Sequence, residues 1–101
     1  MPAVFAAKGS FGIPSRRLFV ISGEILSGLV RNGMTMKVRL NSTLAFDLPI
    51  SAVEMVKKVD GSEVGLCTVC RDADELSLLK GLNIAGETIE IGDPATDEKR
   101  G

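Results

Sequence analysis

Apolar and polar residues alternate with period two in several short stretches of this chain, the pattern of strands that bury one face. Met34 to Leu40 is the clearest. There Met34, Met36, Val38 and Leu40 point one way and Thr35, Lys37 and Arg39 the other, a cationic outer stripe over an apolar inner one. Leu18 to Leu26 sets Phe19, Ile21 and Ile25 on one face around Gly23, a gap that marks a bulge or a close approach of backbones. Ile89 and Ile91 alternate with Thr88 and Glu90, and further strands are predicted over Ile50 to Lys58 and Glu63 to Cys70. Gly28 and Asn32-Gly33 separate one pair of strands and Asp60-Gly61 another. These residues tolerate positive φ in tight turns and so predict antiparallel neighbours. One short helix is predicted over Ala73 to Lys80, where Asp72 caps it, Glu75 completes a capping box, Gly81 ends it, and Leu76 and Leu79 form its buried face.

Six or so short strands and one helical turn predict an all-β fold, a small closed antiparallel β-barrel, because closure removes exposed edges from so small a sheet. With 101 residues the chain holds one core, read as a single domain over residues 1–92, followed by a frayed charged tail at 93–101. A 45% share of hydrophobic residues beside 25% charged ones supports a folded core. No apolar run approaches the roughly 20 residues that span a bilayer. Met1 to Ala7 lacks the positive leader of a secretory signal. A cytoplasmic protein without membrane contact is expected.

Two cysteines and no histidine fit a reducing compartment and remove the commonest metal ligand and general base. Cys67-Thr-Val-Cys70 has redox or zinc spacing, but residues three apart on a strand face opposite sides, and the chain has no further Cys or His to complete a zinc site. These thiols are read as small buried residues. Asp72, Asp74 and Glu75 are explained by capping and the helix dipole, and Glu87 and Glu90 by an exposed strand face. No nucleophile stands beside a base. A barrel this small fills its interior with side chains, so neither enzyme activity nor a cofactor is expected.

Net charge is −1, which supplies no bulk attraction to nucleic acid. Its distribution is lopsided: Met1 to Lys58 carries eight basic and three acidic residues, a balance of +5, and Val59 to Gly101 carries four basic and ten acidic, a balance of −6. Arg16, Arg17, Arg31, Lys37, Arg39, Lys57 and Lys58 form one candidate cationic face for phosphate-backbone contact if their strands are neighbours. The competing reading, a solvated face that keeps the domain soluble, is slightly favoured because the chain has no Trp or Tyr to stack bases.

The stretch FVISGEILSGLVRNGMTMKVRL, Phe19 to Leu40, resembles the start of the second-domain β-barrel of the translational GTPases, the elongation factor Tu type, with Gly23, Gly28 and Gly33 five residues apart. The likeness continues through AVEMVKKV, EVGLCTV, the helical DELSLLKG and the strand GETIEI, about 80 residues in the same order. The Asp60-Gly61 hairpin is shorter than the loop elongation factors carry there. No G-x-x-x-x-G-K-[ST] phosphate loop occurs in the chain, so it is not expected to bind or hydrolyse GTP. The resemblance implies a non-catalytic module that docks to a protein, an RNA or a ribonucleoprotein. Two alternatives stand beside it: a self-associating structural subunit with no nucleic-acid role, burying second faces such as Leu18 and Val20 against another copy, and, held weakly, a thiol enzyme using Cys67 and Cys70.

Overall fold

The computed structural model describes residues 3–39, 45–82 and 84–92, and Leu40 and the 93–101 tail fall outside them. Strands form at β1 (Ala3–Ile13), β2 (Leu18–Ser27), β3 (Thr35–Arg39), β4 (Ala45–Pro49), β5 (Ala52–Lys58), β6 (Gly61–Val69) and β7 (Thr88–Gly92). A 3-10 turn at Pro14–Arg16 joins β1 to β2, and the helix α1 spans Ala73–Lys80. The chain is therefore mainly β, as its alternation predicts. Each predicted strand occurs within two residues of its expected bounds, and β1 and β4 are additional.

All pairings are antiparallel, in one seven-stranded sheet of order β4-β3-β7-β1-β2-β6-β5. The ladder does not close: β4 ends it on one side and β5 on the other, so the expected closed barrel is corrected to an open sheet. The sheet is nonetheless strongly curled. Laid flat, β4 and β5 would stand about 29 Å apart, six strand spacings. Pro49 and Ala52 are joined by only three residue steps, at most about 11 Å. Ile50 and Ser51 make that joint, each bonded to a different side. Ile50 N–H donates to the Met34 carbonyl at 2.8 Å, and Ser51 N–H donates to the Cys67 carbonyl at 2.8 Å. The two edge strands are thus joined by the chain at one end, while the outer edge of β4 has no partner strand among the described residues.

One core fills the concave side. Phe5 of β1, Phe19 and Ile21 of β2, Met36 and Val38 of β3, Leu66 of β6 and Ile89 and Ile91 of β7 are all buried there, with Leu76 and Leu79 of α1. Met36 and Val38 alternate with exposed Lys37 and Arg39, as β3's pattern requires. Ile25, expected on the buried face with Phe19 and Ile21, is instead exposed, although it pairs with the fully buried Phe5.

Two irregularities shape the long β1–β2 hairpin. An extra residue, Lys8, lies between the pairs Ala7↔Gly23 and Gly9↔Ser22, and Leu26 is extra between Phe5↔Ile25 and Val4↔Ser27. The first bulge turns β1 over: Ala3, Phe5 and Ala7 face the core, whereas Phe11 and Ile13 come to face outward. Gly23 sits beside it because a Cβ there would run into the Ala6 carbonyl oxygen.

The α1 cap forms largely as predicted. Asp72 Oδ1 accepts from Glu75 N–H at 2.9 Å, but the Glu75 carboxylate reaches one residue further back and accepts from Arg71 N–H at 2.7 Å. Gly81 ends the helix at φ −80°, not in a left-handed conformation. The helix packs across the end of β1, where the side chains of Leu76 and Lys80 lie against Gly12 and would have to shift to admit a Cβ.

Candidate docking surface

The seven predicted cations fall at separate places on this sheet. Arg16 and Arg17 belong to the turn between β1 and β2, and Arg17 takes a left-handed conformation, φ 51°. Its carbonyl accepts from Cys70 N–H at 2.7 Å and its guanidinium donates to the Arg71 carbonyl at 2.9 Å, so it ties the exit of β6 to this turn. Lys57 and Lys58 close β5 opposite Ser62 and Gly61. Because Leu18 pairs with Val69 and Lys58 with Gly61, the two pairs stand at opposite ends of β6, about 26 Å apart. Lys37 and Arg39 are on β3, near the other end of the strand order, and Arg31 is in the loop before it, its carbonyl accepting from Met34 N–H at 3.3 Å.

Carboxylates are interleaved with these cations. Lys37 has Asp47 of β4 on one side and Glu90 of β7 on the other, a row that reads minus, plus, minus. Lys58 lies 3.8 Å from Glu63, and Lys8 of β1 lies 3.8 Å from Glu24 of β2. The Glu63 Oε1 in the first pair is buried without a hydrogen bond, and the Lys58 ammonium supplies its compensating charge. Such pairs contribute little to stability. Their arrangement matters more, because alternating signs cancel the field that would attract a phosphate backbone.

A different surface is contiguous. On the convex side of β1, β2 and β6, the register aligns Ile13, Leu18 and Val69 in one row and Phe11, Val20 and Cys67 in the next. Phe11 is 40% exposed and Val69 56%, whereas Val20 is only 3% exposed. Gly65 explains that burial: Val56 and Val20 lean over it, their methyls 2.7 and 3.1 Å from where a Cβ would stand. The convex patch therefore has a packed floor of Val20 and Cys67 and an exposed apolar rim, with Arg16 beside Cys67 closely enough to oppose the rise of its thiol pKa. Leu18 and Val20 were expected on such a face. Phe11, Ile13 and Val69 were not, although the period-two spacing of Phe11 and Ile13 in FGI was an available signal for those two.

The two thiols diverge as strand geometry requires. Cys67 faces the convex patch, Cys70 joins the core, and both are free and buried. Burial pushes both up, with the Glu54 charge adding for Cys67 and the Glu75 and Asp72 charges for Cys70. A thiol held protonated is a poor nucleophile.

Among the described residues no group of three or more His, Cys, Asp and Glu side chains is placed to hold a metal ion. No helix among them is long and apolar enough to cross a membrane. Comparison with known proteins finds no matching family, no matching curated protein and no matching solved structure.

Proposed function

We propose that this chain is a non-catalytic docking module whose partner is a protein surface, alone or within a ribonucleoprotein, and that it is built on the plan of the translational GTPases' second-domain barrel. The observation that carries the docking reading is the convex patch, where Phe11, Ile13, Leu18 and Val69 form two adjoining rows of apolar side chains on regular, rigid strands. An apolar patch with arginines at its rim, Arg16 and Arg17, has the composition of a protein interface. The barrel plan is supported by the Ile50–Ser51 joint. Counting β4 and β5 as one bent run gives six runs around a single core, with α1 between the fifth and the sixth.

A nucleic-acid role is the weaker reading, since Asp47 and Glu90 flank Lys37 and Glu63 meets Lys58. Self-association is favoured by one observation, that the same patch presents Leu18 beside the exposed Phe11 and Val69 to a second copy, above the already buried Val20. The test is capture of partners from a lysate of the native host by tagged wild type, by Phe11→Glu/Val69→Glu and by Lys37→Glu/Arg39→Glu. The first double variant should lose the wild-type partner and the second should retain it. The reverse pattern would sink the apolar reading in favour of the cationic one. Light scattering across concentrations identifies self-association, because a monomer throughout excludes it.

A further inference from the structure

The opening in the ladder is also a groove. Among the described residues β4 is paired on one side only, with β3. Since Ile50 N–H donates to Met34 and strand groups alternate, the backbone N–H and C=O of Ala45 and Asp47 point away from β3, and Pro49 adds a carbonyl without a donor. Facing this edge are the exit of β6 and the start of α1. The space between them is about 300 Å³, with Phe46 and Leu48 from β4 and Leu78 and Leu79 from α1 along its walls. Leu78 is 54% exposed, an apolar side chain left at the mouth.

The rim is acidic. Asp72, Asp74 and Glu75 line it against the single guanidinium of Arg71. Asp72 is engaged by Glu75 N–H, and Glu75 by Arg71, whose guanidinium lies 3.4 Å away. Asp74 has no ion-pair or hydrogen-bond partner among the described residues, which leaves its charge for a ligand.

We propose that this groove takes an extended segment of a partner protein, with apolar and basic residues in alternation, as an added strand on β4. Backbone groups of Ala45 and Asp47 would pair with the segment, its apolar side chains would enter between Phe46 and Leu78, and a Lys or Arg at the rim would meet Asp74. An apolar groove lined by Phe46 and Leu48 of β4, lying beside a strand edge that has no partner strand among the described residues, is a geometry that strand addition can use. The acidic rim selects a basic segment over an acidic one. This site is separate from the convex patch, so either can fail while the other stands.

The experiment uses the whole chain and two fluorescein-labelled heptapeptides, one alternating Leu with Lys and one alternating Leu with Glu, read by fluorescence anisotropy. Saturable binding of the Lys peptide is expected, weakened by salt, with affinity lowered about tenfold by Leu78→Lys and about threefold by Asp74→Lys. Hydrogen exchange should slow at the Ala45 and Asp47 amides when the peptide is bound. Both substituted residues are exposed, and circular dichroism confirms that the variants fold. The proposal is overturned if the Lys peptide shows no saturable binding up to about 1 mM, weaker than any useful docking. Equal binding of the Glu peptide, indifference to Leu78→Lys, or protection appearing elsewhere than β4 would overturn it too. Self-association abolished by Leu78→Lys, without peptide binding, would assign the groove to a second copy and defeat the partner-segment assignment.

Discussion

Strands β2 and β3 solve the same problem in opposite ways. From Phe19 to Gly23 every residue of β2 is buried, on both faces, whereas β3 buries Met36 and Val38 and leaves Lys37 and Arg39 in solvent. The neighbours account for the difference. β2 lies between β1 and β6, whose Phe11, Cys67 and side-chain-free Gly65 let a second apolar layer assemble over Val20. β3 lies between β4 and β7, which offer Asp47 and Glu90. A sheet's outer face is thus a property of three strands read together, and in this protein one half of that face is packed and the other ionic.

The sharpest way to break this comparison is at Gly23. Gly23→Ala drives a methyl into the Ala6 carbonyl, a backbone atom that cannot swing aside, and should cost about 3 kcal/mol or more in urea unfolding. Gly33→Ala is the control. Its Cβ meets open space and only its φ of 94° resists, so about 1 kcal/mol is expected. Equal losses would mean that the crowding across the hairpin is not real. Next in size is Val20→Thr, which keeps the shape but buries a hydroxyl on the convex side, at about 1–3 kcal/mol. A near-zero effect would show that the layer over Val20 is open to water. Lys37→Glu converts the row across β4, β3 and β7 into three carboxylates, and the expected loss is about 0.2–1 kcal/mol, recovered in high salt. A loss as large as that of Val20→Thr would erase the distinction between the two halves.

The smallest effect concerns the thiols. Their pKa is raised by folding, so the stability they contribute is complete below the unfolded value of about 8.5 and is lost as pH rises from there through the higher folded value, because the unfolded chain ionises first. The urea midpoint of the wild type should fall more steeply between about pH 8 and 10 than that of Cys67→Ala/Cys70→Ala. With no Tyr in the chain, little else but lysine titrates in that window. Parallel pH profiles would show that the thiols are not buried as described.

What could be read from the sequence was whatever repeats regularly. β3, β7 and α1 obey their periods, and Gly33 and Gly61 do take the positive φ their turns predict. β1 escaped because AVFAAKGSFGI is rich in Ala and Gly and changes face at Lys8, so one parity of residues serves two sides and no single alternation runs through it. β4 escaped because five residues that include Asp47 and end in Pro49 carry too little pattern. The cationic face failed to assemble because sequence reveals which side of a strand a Lys takes but not what the neighbouring strand sets beside it. The convex patch was half legible: Leu18 and Val20 stood out in a continuous apolar run, whereas Phe11 and Ile13 needed β1 to be recognised first.

The pairing of β1 with β7 has a consequence for how the chain folds during synthesis. Ala3 lies opposite Ile91, and Phe5 opposite Ile89, so β1 remains without one of its two neighbours until more than eighty further residues have been made. Pairings this distant in sequence close slowly. The β1–β2 hairpin can form early, and β6 and β5 can add to it in turn. The concave core cannot seal until β7 has left the ribosome. Phe5 and Phe19 are then exposed on the nascent chain until β7 arrives, which is the interval in which a chaperone would find something to hold.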